Sequence, residues 1–258
     1  MATLTDVLVV SLLAGGATGI GALPLFATTR ISHRIYDGAL GLAAGIMFGA
    51  AVFALILPGL ELGSLSEVIA GVFVGGGFLL AVNRLVPHLH EEVGAERPHG
   101  PVGDGSTETP LRRALLIGGA ITIHNVPEGL AVGIAFASGL EGVGLAVALA
   151  IAIQNVPDGF AMAVPAVQAG VPRAKTLLYT TASGGVPEPL AALVGFLLVE
   201  LVTGVFPFAA GVAAGAMMAV IFREVIPSSH GHGYADLSTL TFVSGFVTMM
   251  VVDTVFAV

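Results

Sequence analysis

The chain has 258 residues, 55% of them hydrophobic and only 10% charged, with 9 basic against 17 acidic side chains and a net charge of −8. A mean hydropathy of +0.97 excludes an ordinary soluble domain, whose interior could not hide so much apolar surface. The negative balance argues against a nucleic-acid partner, and the absence of cysteine excludes disulfides and thiolate metal sites.

Taken in chain order, apolar stretches of about 20 residues, enough to cross a hydrocarbon core of roughly 30 Å, recur from one end to the other. They predict an all-α membrane protein of eight transmembrane helices in a single polytopic domain over residues 1–258. The expected spans are 5–29, 39–60, 67–86, 111–137, 142–168, 176–201, 205–226 and 237–256. The opening "MATLTD" has no Lys or Arg, so the first span reads as a retained helix rather than a secretory signal. Residues 87–110, "PHLHEEVGAERPHGPVGDGSTETP", lack apolar periodicity and form the one long loop. The spacings Gly41-x-x-x-Gly45-x-x-x-Gly49 and Gly211-x-x-x-Gly215 suit close helix approach in lipid.

The basic residues set the orientation. Arg30, Arg34, Arg84, Arg97, Arg112, Arg113, Arg173, Lys175 and Arg223 fall on one side of the predicted spans, whereas Asp6, Glu61, Glu67, Glu141, Glu200 and Asp253 sit at the opposite ends. Because cytoplasmic loops carry the Lys/Arg excess, the expectation is a multi-pass protein of the cell (plasma) membrane with both termini outside and the long loop inside.

Within this apolar chain a polar motif occurs twice. "ITIHNVPEGLAVGI" at 121–134 and "IAIQNVPDGFAMAV" at 151–164 share Ile121/Ile151, Ile123/Ile153, Asn125/Asn155, Val126/Val156, Pro127/Pro157, Gly129/Gly159 and Ala131/Ala161. The fourth and fifth spans run in opposite directions, so the motifs meet antiparallel, an arrangement associated with transport sites near the midplane. His124 lies 13 residues beyond Leu111 and Gln154 lies 12 beyond Gly142, so both are about 18–20 Å along their helices. Glu188, in "SGGVPEPL", lies 12 beyond Thr176, at the same level. His124, Glu128, Asp158 and Glu188 are the ionisable residues expected near the midplane, and every other charge is expected near a membrane face. Each central charge costs at least about 2.5–3.5 kcal/mol on insertion scales and normally faces a partner or an aqueous path.

His124 and Glu128, four apart, share a helix face, with Asn125 about 100° away; Gln154 and Asp158 repeat the pattern. Pro127 and Pro157 leave the carbonyls of Ile123 and Ile153 without helical donors, as further oxygen ligands or as kink points. A protonated hydrogen-bonded network is the structural alternative, but three acids around one histidine make a better cation site. One imidazole, carboxylate and amide oxygens, and no thiolate suit a divalent first-row ion such as zinc, iron or manganese. Calcium or magnesium would call for more oxygen and no nitrogen. Three carboxylates against one divalent ion leave an excess negative charge, so a proton or a second ion shares the site.

"HNVPEG" followed by "QNVPDG", at this spacing in an eight-span protein, resembles the ZIP (Zrt/Irt-like) divalent-metal transporters, particularly their GufA-like prokaryotic branch. The resemblance extends along the whole chain. It implies a ZIP-type fold whose two helix bundles slide or rock against each other, with a binuclear-type metal site between helices 4, 5, 6 and 2. His124, Asn125 and Glu128 match the fourth-helix ligands, and Gln154, Asn155 and Asp158 occupy the fifth-helix positions. Glu188 looks like the sixth-helix acid, and Met47 in "AAGIMFGA" like a second-helix thioether ligand. Asn155 and Asp158 depart from the aspartate and glutamate often found there, which weakens a second metal position. "REVIPSSHGHG" resembles the seventh-helix end and assigns Glu224 and His230 to a cytoplasmic release site, the alternative being that Glu224 is a surface acid. His88, His90 and His99 are loop capture candidates beside the reading that they are simply solvated.

The expected function is secondary transport of divalent transition metals toward the cytoplasm by alternating access. Zinc leads, with iron, manganese, cobalt and cadmium behind it. The metal is cargo rather than cofactor, the other partner is the lipid bilayer, and a homodimer stays open. The alternatives are an intramembrane metalloenzyme, although no HExxH arrangement is present, and a metal sensor using the same site. A retinal-type protein is disfavoured because Lys175, the sole lysine, lies in a loop.

Overall fold

The computed structural model describes residues 3–28, 31–92, 110–140, 142–202 and 204–256. It is all-helical over these residues. The helices named here are α1 (Leu4–Ala27), α2 (His33–Leu62), α3 (Leu65–Glu92), α4 (Pro110–Ala137), α5 (Val143–Gln168), α6 (Arg173–Leu201), α7 (Phe206–Ser229) and α8 (Ala235–Phe256). Over the described residues seven of them are long and apolar enough to cross a bilayer; in α4 the apolar stretch found on the same terms is Ile121–Ala137. α3 continues to Glu92 through Pro87, past the loop boundary expected at that residue. Hydropathy marks the membrane edge, whereas helical hydrogen bonding continues beyond it.

Two groups of helices result. α1, α4, α5 and α6 pack on one another, and α2, α3, α7 and α8 form the second group, with α2 and α7 crossing to α5 and α4. The spaced glycines explain the closest pairs: a methyl on Gly41 would meet the Ser238 main chain and one on Gly45 the Phe242 carbonyl, so α8 rests directly on α2. Gly215 faces the Val72 carbonyl in the same way and brings α7 onto α3. Without a hydrophobic drive between helices in lipid, such backbone approach supplies the dispersion contact that holds them.

Proline shapes the interior. α2 and α7 each contain a π-helical segment, Ala50–Ile56 and Ile221–Val225, ending one residue before Leu57-Pro58 and Ile226-Pro227. The Leu57 N–H reaches back five residues to the Val52 carbonyl, and the Ile226 N–H to the Ile221 carbonyl. The wider turn absorbs the hydrogen bond that proline cannot donate. α6 is interrupted at Val186 and restarts at Pro187, where the missing N–H is harmless at a first helical position. The α4–α5 connection turns on Gly139 and Gly142, at φ +77° and +80°, a region that favours glycine.

Candidate metal site

The repeated motif sits where α4 and α5 meet, and its glycines set the distances to the third contributing helix. A methyl on Gly129 would lie 2.7 Å from Glu188 Cα, so only glycine lets the broken part of α6 reach α4. Gly159 gives the same clearance to the Thr18 backbone of α1. Glu188 falls in the first turn of the helix restarting at Pro187, where the positive end of the helix dipole favours a carboxylate.

His124, Asn125, Glu128, Gln154, Asn155, Asp158 and Glu188 are all buried. Gln154 Nε2 donates to Glu128 Oε1 at 2.7 Å, joining α5 to α4. Asn155 Nδ2 donates to Glu188 Oε1 at 2.7 Å and to the Ala14 carbonyl at 2.8 Å, joining α5 to both α6 and α1. Asn125 Nδ2 donates to the Ser183 carbonyl at 2.7 Å. That carbonyl lies four residues before Pro187 and so has no helical donor. Asp158 lies near enough to His124, Glu128 and Glu188 for their charges to interact.

The atoms left over define the chemistry. Asn125 Oδ1, Glu128 Oε2, Gln154 Oε1, Asn155 Oδ1 and Glu188 Oε2 are buried without a hydrogen-bond partner. Buried polar atoms are normally paired, and an orphan calls for an explanation. All five are acceptors, two of them on carboxylates, and the complement of buried oxygen acceptors on helices that also carry an imidazole is a cation. Among the described residues, however, no three His, Asp or Glu side chains converge in metal-ligand geometry. The free Oε1 of Gln154 and Oε2 of Glu128 are not the atoms that bind the two side chains to each other.

Residues 106–253, more than half of the chain, match the family described as ZIP Zinc transporter. The chain belongs to the ZIP family. It is 41% identical over 257 residues to the zinc transporter GufA of Myxococcus xanthus, covering 95% of this chain and 97% of that protein. The zinc transporter ZIPB of Bordetella bronchiseptica is 37% identical, with 92% of this chain and 77% of that protein aligned. The human zinc transporter ZIP11 is 31% identical over 92% of this chain and 93% of its own length. The ZIP family consists of membrane transporters, so the metalloenzyme alternative falls: this member is not an enzyme.

Within the ZIP member described here, the remaining expected residues are distributed unevenly. Met47 is 1% exposed and lies in the main apolar core. Glu224 sits in the π-helical segment of α7 and its Oε2 contacts His124 Nε2. This corrects the expectation that all charges beyond the central four lie near a face. Counting along the helix could not see that α7 widens there and that a long side chain reaches inward. His230 is exposed at the end of α7, its Nδ1 3.0 Å from Ser229 Oγ and from the Ile226 carbonyl. His88 and His90 fall on the extended α3 backbone, their side chains outside the described residues, and His99 lies wholly outside them. Two acceptors escaped sequence reasoning, the Ala14 and Ser183 carbonyls. Applying the proline rule to Pro187 as well as to Pro127 and Pro157 would have found the second. A separate polar cluster also escaped it: His232 Nδ1 lies 2.8 Å from Asp37 Oδ1, and the His33 ring stacks on His232 at 4.2 Å.

Proposed function

We propose that this protein carries zinc across the plasma membrane toward the cytoplasm. His124, Glu128, Gln154 and Asp158 are its principal ligands, Asn125, Asn155 and Glu188 border them, and Met47 supplies a soft contact. The observation that carries the reading is the group of five unpartnered buried oxygens on α4, α5 and α6, in a member of a zinc-transporter family. Imidazole with oxygen donors also admits iron, manganese, cobalt and cadmium.

Alternating access is supported by the two helix groups, since α4 and α5 carry the ligands while α2 and α7 of the other group pack against them. The His124–Glu224 contact spans that boundary and offers the next donor toward the cytoplasmic end of α7. Glu61 and Asp253, close enough for their charges to interact, give the opposite end an acidic mouth that concentrates cations. With basic residues facing the cytoplasm and termini outside, an inside-negative potential favours inward movement of a divalent ion by about 4.6 kcal/mol per 100 mV.

The test is metal influx into proteoliposomes with zinc, manganese, iron(II) and cadmium offered separately. The expected result is saturable zinc influx that Glu128→Ala and His124→Ala abolish while remaining folded. Undiminished influx in both variants would remove the site assignment.

A further inference from the structure

Behind the polar face of α5 lies an apolar cleft of about 480 Å³, lined by Ala152, Val156 and Pro157 of α5, by Ala17 and Ile20 of α1 and by Leu42 of α2. At 100° per residue, positions 152, 156 and 157 fall on the side of α5 away from Gln154, Asn155 and Asp158, so the cleft backs onto the motif without belonging to it. Val156 stands 13 residues after Val143, midway along a helix of 26 residues, which puts the cleft near the centre of the bilayer. Ile20 is 51% exposed, so the cleft opens sideways toward lipid. Leu42 belongs to the second helix group and the other lining residues to the first, so the cleft also lies on the seam between them.

We propose that this cleft binds one acyl chain of a phospholipid from the surrounding bilayer. Its lining side chains are all hydrocarbon, so it gives water no partner and a headgroup no charge, and at this depth the solvent is hydrocarbon chains. Left empty, the lining would forfeit its dispersion contacts, which are what hold apolar surfaces together in lipid. Size separates a chain from a helix of a second copy. A helix about 10–12 Å across would use up 480 Å³ in little more than one turn, whereas a chain one methylene wide can follow the cleft over many carbons. Ala17 and Ala152 leave the space, and the bound chain packs Leu42 of one helix group against Val156 and Pro157 of the other. It thereby braces α5 from the side opposite its polar motif.

The protein contains no tryptophan, so a single introduced one reports alone. Leu149 is 38% exposed and lies one turn from Ala152 on the same face of α5, beside the cleft. Phe73 is 77% exposed on α3, which packs on α7, and serves as the control. Phospholipid with brominated chains, a contact quencher of tryptophan, is titrated into Leu149→Trp and Phe73→Trp in detergent. The expected result is quenching of Leu149→Trp that saturates at one lipid per chain, while quenching of Phe73→Trp keeps rising with the lipid added. Adding Ala152→Phe, whose ring fills the cleft, should remove the saturating phase from Leu149→Trp. Parallel, unsaturated curves for the two reporters, or a saturating phase that survives in folded Ala152→Phe, would overturn the proposal. So would unquenched Leu149→Trp protein with the mass of a dimer, which would give the cleft to a second copy. If Ala152→Phe does not fold, the two reporters still decide. Failure of the zinc site would leave every one of these outcomes unchanged.

Discussion

Gly129→Ala isolates the role of the motif glycine. The added carbon would lie 2.7 Å from Glu188 Cα and 2.9 Å from Ala191 Cβ, against about 3.5–4.0 Å for a favourable carbon contact. The broken helix α6 must therefore retreat by roughly 1 Å, and overpacking of this kind costs about 1–3 kcal/mol. Alanine also relieves the entropic cost of a helical glycine, about 0.5–1 kcal/mol, so the stability measured for Gly129→Ala is the difference of the two. Gly119, on the same helix, separates them: nothing lies within 4 Å of a carbon added there, so Gly119→Ala should stabilise by about 0.5–1 kcal/mol. The gap between the two variants then returns the steric cost alone. At about 2–4 °C per kcal/mol, thermal unfolding in one detergent should show Gly119→Ala melting above the native protein and Gly129→Ala below Gly119→Ala. Equal melting temperatures for the two variants would refute close packing of α6 on α4. Zinc uptake should fall in Gly129→Ala alone, because the retreat carries Glu188 with it.

Asn125→Ala should destabilise by about 1–3 kcal/mol, leaving the buried Ser183 carbonyl without a donor; in a double-mutant cycle Pro187→Ala, which restores a main-chain N–H, should recover part of that loss. His232→Ala removes the partner of Asp37, which is fully buried, and should cost about 3–5 kcal/mol, more than the double variant Asp37→Asn/His232→Ala; chemical denaturation of the three proteins checks the order. Glu224→Gln should slow zinc release toward the cytoplasmic side without lowering the number of ions bound, and time-resolved efflux from preloaded vesicles compared with equilibrium zinc counts separates the two effects.

Much of this architecture is written in hydropathy and glycine spacing. The eight apolar stretches coincide with helices to within a few residues at most ends, and Gly41, Gly45 and Gly215 lie at backbone contacts. The features that eluded the sequence involve hydrogen bonding rather than hydropathy. α3 outruns its apolar stretch to Glu92. The π-helical turns before Pro58 and Pro227 preserve both helices where proline alone suggests a kink. Of the site, the buried side chains on α4, α5 and α6 were legible from depth and spacing, because ionisable groups in an apolar helix are conspicuous. Glu224 was not, since its membership depends on the local widening of α7. The clamp through Asn155 was not either, because its α1 acceptor is a backbone carbonyl 141 residues away with no side-chain signature. Asp37 and His232, 195 residues apart, show the same limit.

The most direct test of the central claim is to locate zinc in the loaded protein by anomalous diffraction at the zinc edge. The account predicts a peak bounded by His124, Glu128, Gln154 and Asp158. A peak confined to His33 and His232, or to the loop histidines, with no density between α4 and α5, would contradict it.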